Sequence, residues 1–248
     1  SEQKYDLMRK LWREIWEEIG SEGDFDSGEV EEFKKLITPI VAGSGGRGEL
    51  VLGSDLDYCL YVDDRGFSEE EKELKIKKIK HFVNNVLAEK INNILLRNRI
   101  RPDAGLANAD RMPFTTFSTL KDFSINLQDR RQVVEPTEVL DGEPLFESDR
   151  WVAEEARDRL LVQNETAYLL PSYIEKDLEL GEGKKSFVEE FEDLFVNVAS
   201  GQMVERIKDS LQRSLIFKLD ALLVNGLVDG SIPETMAKKI PSGIVDKI

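Results

Sequence analysis

The chain has 248 residues, 40% of them hydrophobic, which suffices for one large domain or two modest ones. Its 49 acidic against 34 basic residues give a formal net charge of −15, a balance that disfavours nonspecific DNA or RNA binding, which needs Lys and Arg to neutralise phosphates. No apolar run approaches the roughly 18 residues of a membrane span, residues 1–20 are charged throughout rather than secretory in pattern, and the single Cys59 excludes an internal disulfide, so a cytoplasmic setting is expected.

Met8, Leu11, Trp12, Ile15, Trp16 and Ile19 recur at i, i+3, i+4, which predicts an amphipathic helix over residues 3–20. A polar break, Ser21 to Gly28, precedes a short helix carrying Val30, Phe33 and Leu36, which Pro39 is expected to stop. Ile40-Val41-Ala42 then reads as a first strand running into Gly43-Ser44-Gly45-Gly46-Arg47-Gly48-Glu49-Leu50. Such a turn offers backbone N–H groups and an arginine to anionic oxygens, with a short helix expected from Gly45 to Leu50. Gly53-Ser54 comes next, and then a strand from Asp55 to Val62. Strand side chains alternate, so Asp55 and Asp57 share a face, and two adjacent carboxylates repel unless a cation lies between them.

Ser68-Glu69-Glu70-Glu71 has the form of a capping box. It opens a long helix with Leu74, Ile79, Phe82, Val83, Val86, Ile91, Ile94 and Leu95 on its buried side. His81 reads as a helix-surface residue, and the run Lys75, Lys77, Lys78, Lys80 as a solvated face. Because His81 is the only histidine, no histidine-rich metal centre can be built. Arg99 to Pro102 is expected to be a short strand delivering Asp103. From Ser148 onward helical periodicity prevails: Trp151 to Leu170, Ser186 to Ala199 and Gln202 to Val228, with a solvated loop at Gly181 to Lys185. The abrupt ending Ile244 to Ile248 suits a piece of a longer protein.

Other phosphate or metal motifs fit less well. No Gly-Lys-Ser/Thr follows the glycines, which excludes a Walker loop. Gly43, Gly45 and Gly48 lack the strand–turn–helix register and distant acidic residue of a dinucleotide fingerprint. A Ca²⁺ loop needs ligands at several alternate positions and a terminal Glu, absent here.

The segment from Gly43 to Leu50, followed by Gly53-Ser54-Asp55-Leu56-Asp57, closely resembles the nucleotidyltransferase superfamily that includes DNA polymerase β. In its longer form it is most similar to the branch of PII-protein uridylyltransferases and related signalling nucleotidyltransferases. The resemblance implies an α+β (α/β) fold: a small mixed-sheet nucleotidyltransferase domain with N-terminal helices at residues 1–147, then a helical companion or substrate-binding domain at 148–248. Asp103-Ala104-Gly105-Leu106 resembles the branch's segment bearing a third metal-site carboxylate, with Asp110 as a rival to Asp103. Asp129-Arg130-Arg131 and Leu140 to Phe146 resemble a later segment of the same branch.

The resemblance further implies Mg²⁺ (two ions, or Mn²⁺) on Asp55, Asp57 and Asp103, which are also the catalytic residues. Gly43, Ser44, Gly45, Arg47 and Ser54 are the expected nucleotide-binding residues, while Glu49 either touches metal peripherally or orients Arg47. The expected activity is transfer of NMP from UTP or ATP to a hydroxyl acceptor, on a signalling protein rather than nucleic acid and away from membranes. The alternatives are a small-molecule nucleotidyltransferase and a non-catalytic nucleotide-sensing module.

Overall fold

The amphipathic N-terminal pattern forms α1, Glu2–Glu22, in a computed structural model that describes residues 2–22, 26–49, 57–98, 114–125, 136–179 and 213–247. Its apolar stripe of Met8, Leu11, Ile15, Trp16 and Ile19 is buried, as the spacing requires. The next helix, α2 at Ser27–Leu36, starts where the Asp26 carboxylate accepts the Gly28 N–H at 2.7 Å, and Lys34 and Lys35 complement the dipole in its last turn.

Pro39 does not end this helix. It lies inside β1, Ile37–Val41, which pairs antiparallel with β2, Tyr58–Val62. Ala42 N–H donates to the Asp57 carbonyl and Asp63 N–H to the Leu36 carbonyl, which fixes those as hydrogen-bonded pairs. Counting inward by alternation, Pro39 and Leu60 form a non-hydrogen-bonded pair, so the missing N–H costs that ladder nothing. On its other edge β1 meets β4, Glu143–Pro144, only at Ile40 and Val41. A third strand, β3 at Phe114–Thr116, runs parallel to β2 and completes the mixed order β3-β2-β1-β4.

Both faces of this sheet are covered, so β2 is buried along its whole length. Val41, Tyr58, Leu60 and Val62 join the core made by α1, α2 and the long helix that follows. Ile40, Cys59 and Tyr61 face a second core built from α6 (Phe117–Lys121), α7 (Pro136–Asp141), α8 (Arg150–Leu161), α9 (Leu170–Glu179) and α10 (Arg213–Val228). This second core therefore draws on residues from both sides of position 147/148.

The long helix runs as α4, Glu69–Phe82, through a π turn, Val83–Leu87, into α5, Ala88–Arg97. Ser68 caps it by position, but its hydroxyl bonds the Glu71 carboxylate rather than a backbone N–H, so the reciprocal box does not form. The π turn places one residue more per turn than an α-helix and shifts the apolar stripe. Leu87, at the end of this turn, is fully buried, while Leu74, expected on the buried side, is 61% exposed, since it stands about 140° round α4 from the buried Ile79. His81 is exposed and pairs with Asn85 one turn on.

The single helix expected over 151–170 is two. Asn164 interrupts it, its amide donating to the carbonyls of Leu120 and Phe123 while its oxygen accepts from Thr166 N–H. A short helix, α11 at Ile244–Lys247, closes the described residues. No helix among them is long and apolar enough to cross a membrane.

Candidate active site

The glycine turn leaves the end of β1, where the Ala42–Asp57 bond brings the two strands together. Gly43 takes φ +54°, a left-handed conformation that other residues adopt only at a cost. A side chain there would also collide with Asp57: a Cβ would stand 2.4 Å from Asp57 Oδ2. The absence of that atom lets the carboxylate rest against the turn.

Gly43–Gly46 forms one helical turn, α3, rather than the expected helix from Gly45 to Leu50. It stops early because Glu49 N–H donates to the Ser44 carbonyl at 2.8 Å and Gly48 N–H to the Gly45 carbonyl at 3.0 Å. These two bonds make a Schellman closure, with Gly48 at the left-handed position, φ +72°. Two further elements clamp the turn. Tyr5 of α1 donates its hydroxyl to the Gly45 carbonyl at 2.9 Å. Gly46 is packed so closely that a Cβ would lie 2.1 Å from the Asp141 carbonyl and 2.6 Å from that of Val41.

Within this frame Ser44 is 3% exposed, and its hydroxyl has no hydrogen-bond partner among the described residues. Leaving a buried hydroxyl unsatisfied costs about 1–3 kcal/mol, and a ligand oxygen would complement it. Ser44 and Asp57 thus both adjoin Gly43, one as its neighbour in the chain and the other by its carboxylate packed against it.

Arg47 is taken up by a different set of partners. Its side chain is largely buried, Nε donating to Glu49 at 2.9 Å and Nη1 to Asp141 at 2.6 Å. Asp141 in turn accepts Lys247 Nζ at 2.5 Å, and Lys247 reaches Asp220 of α10 at the same distance. The side chains of Lys247 and Asp220 are fully buried. Burial, then the nearby charge of Asp141, pushes the Asp220 carboxyl up to about 7, against the pull of Lys247. Glu49 forms the ion pair with Arg47 that one of its two readings expected.

Gly43, Ser44, Gly45, Arg47 and Asp57 are therefore gathered at one turn. Ser54, Asp55, Asp103, Asp110, the Asp129-Arg130-Arg131 segment and the Gly181–Lys185 loop lie outside the described residues. Cys59, two residues from Asp57, is buried, which pushes its thiol up and leaves it an inert core side chain. Tyr5, Asp220 and Lys247 contact the turn or its supports without having been singled out by sequence patterns, whereas Asp141 lies in the segment Leu140 to Phe146 already noted. For Asp220 a signal existed: it is a lone carboxylate on the apolar side of a helix, in line with Ile216, Phe217 and Val224.

Residues 1–90 match the model of a family described as Putative nucleotidyltransferase DUF294, and the chain is nucleotidyltransferase-like in this part. The match takes in α1, the glycine turn and Asp57, and reaches further toward the N-terminus than the motif alone indicates. No curated protein and no solved structure matched the chain.

Proposed function

We propose that this nucleotidyltransferase-like chain moves a nucleoside monophosphate from an Mg²⁺-bound NTP to a hydroxyl on a signalling protein, as a uridylyl- or adenylyltransferase. The observation that carries the reading is the buried, unpartnered Ser44 hydroxyl beside a carboxylate seated on Gly43. Ser44 and the turn amides would grip the β- and γ-phosphates, while Arg47 acts from behind by holding the turn's shape.

The donor set fits a hard cation: Asp57 offers carboxylate oxygens, and the nearby thiol is buried in the core. Asp57, with Asp55 and Asp103, would hold two Mg²⁺ ions, or Mn²⁺ in their place. When bound, the ions neutralise the triphosphate and make the acceptor hydroxyl more acidic. The acceptor oxygen attacks the α-phosphorus, the α–β bridging bond breaks, and pyrophosphate leaves with the bonding electrons. Asp103 takes or relays the acceptor's proton. Residues 148–248 would supply the surface that receives the acceptor, and the net charge of −15 supports a protein rather than a nucleic acid.

The test is labelling of a cell lysate with α-labelled UTP and ATP by the wild type and by Asp57→Asn. Label on a protein with the wild type alone is the expected result. Label on a small compound instead would reassign the acceptor, and tight Mg²⁺–NTP binding without pyrophosphate release would make the chain a sensor.

A further inference from the structure

We propose that Lys247 is a positioning residue for the glycine turn, acting through Asp141. The inference rests on the reading of that turn as the nucleotide site.

The groups form a continuous buried chain. Asp220 holds Lys247, Lys247 holds one oxygen of Asp141, and the other oxygen of Asp141 holds Arg47 Nη1. Asp141 acts twice, because its main-chain carbonyl also closes over Gly46. Its carboxylate and its carbonyl thus fix the two residues that end α3, Gly46 and Arg47. Neither Lys247 nor Asp220 is among the residues gathered on the Ser44 and Asp57 side. The chain is balanced to within one charge: Arg47 and Lys247 against Asp141 and Asp220, with Glu49 at the rim.

Buried ions in such a chain are set by geometry, since a carboxylate without its cation in a low-dielectric interior draws whatever donor remains. Without Lys247, Asp141 has only Arg47 to satisfy it and pulls the guanidinium from its shared position with Glu49. The closure at Gly48 and Glu49 loosens with it, and Ser44 loses its aim. A lysine distant in sequence, on α11, thereby sets the shape of the phosphate grip.

The test uses Lys247→Met and, in case that variant folds poorly, Lys247→Met/Asp220→Asn, which restores the charge balance. Two readouts are taken: amide hydrogen exchange at Gly48 and Glu49, and binding plus turnover of Mg²⁺–UTP and Mg²⁺–ATP. In folded variants the two amides should exchange about tenfold faster while amides of β2 keep their protection. The dissociation constant for Mg²⁺–NTP should rise about tenfold, with kcat at saturation changed less than about threefold. Wild-type exchange at the two amides in either folded variant would overturn the inference, as would loosened amides with unaltered nucleotide affinity. If the wild type itself binds no nucleotide, the functional reading falls, and the exchange measurement still decides whether Lys247 holds the turn.

Discussion

The two sides of the glycine turn are built on opposite terms. On one side stand Ser44, with a buried hydroxyl that bonds to nothing among the described residues, and Asp57, seated where Gly43 has no side chain. On the other, Arg47, Asp141, Lys247 and Asp220 bind one another through distances of 2.5–2.6 Å. An unpartnered hydroxyl beside a carboxylate leaves room for a ligand, whereas ions that bind one another form a scaffold, even one in which Asp220 Oδ2 is buried without a hydrogen-bond partner among the described residues. The lesson is that charge alone does not mark the site. The charged cluster here is the proposed support, and the sparse side is the one proposed to meet the nucleotide.

The sharpest way to break this comparison is to crowd the scaffold side. Gly46→Ala would drive a methyl into the carbonyls of Val41 and Asp141, and a destabilisation of about 3 kcal/mol is expected in urea unfolding. Gly48→Ala, where a Cβ meets nothing within 4 Å, should cost only about 1 kcal/mol, for its left-handed backbone. Equal losses would show that packing against Asp141 does not matter.

On the substrate side, function and stability should separate. Ser44→Ala removes the unpartnered hydroxyl, so thermal stability should hold or rise slightly. Mg²⁺–NTP affinity in a titration should meanwhile fall about tenfold. A stability loss with unchanged affinity would place Ser44 in the scaffold.

The smallest expected effect is a change of slope. Asp220 faces Asp141, Lys247 and Arg47, and its carboxyl is raised from the ordinary 3.8 to about 7. Between those values the folded state keeps a proton that the unfolded chain has released, so this group makes stability fall as pH rises through the window and level off above it. Asp220→Asn should therefore flatten the decline in melting temperature between about pH 5 and 7 relative to wild type. An unaltered slope would remove Asp220 from the titrating cluster.

Much of the frame was legible in the sequence. The spacing in α1, the short helix carrying Val30 and Phe33, and the strand running into a glycine turn all rest on local rules, and the structure obeys them. What escaped is non-local or depends on register. Pro39 sits in a strand because its neighbour pairs without using its nitrogen, a fact set by β2 and not by residues beside it. Leu74 faces outward because it lies five residues before Ile79 in the same regular helix, about 140° away round its axis, too far to share the buried stripe. Lys247 meets Asp141 across 106 positions, and a lysine near the end of a helix reads as solvated until its partners are seen. Of the candidate catalytic carboxylates, Asp57 is the one among the described residues; it stands one position before β2 rather than within the strand expected from Asp55, with its carboxylate against Gly43.

The hydrogen bond from Tyr5 to Gly45 bears on how the molecule could be dissected. A fragment beginning at Asp26 would carry every residue from Gly43 to Glu49 and Asp57 as well, the whole local signature. It would still lack the hydroxyl that fastens the turn, and the five buried apolar residues of α1 that cover one face of the sheet. What leans on the motif therefore extends two helices upstream of Gly43, and a fragment cut to the motif alone would lose it.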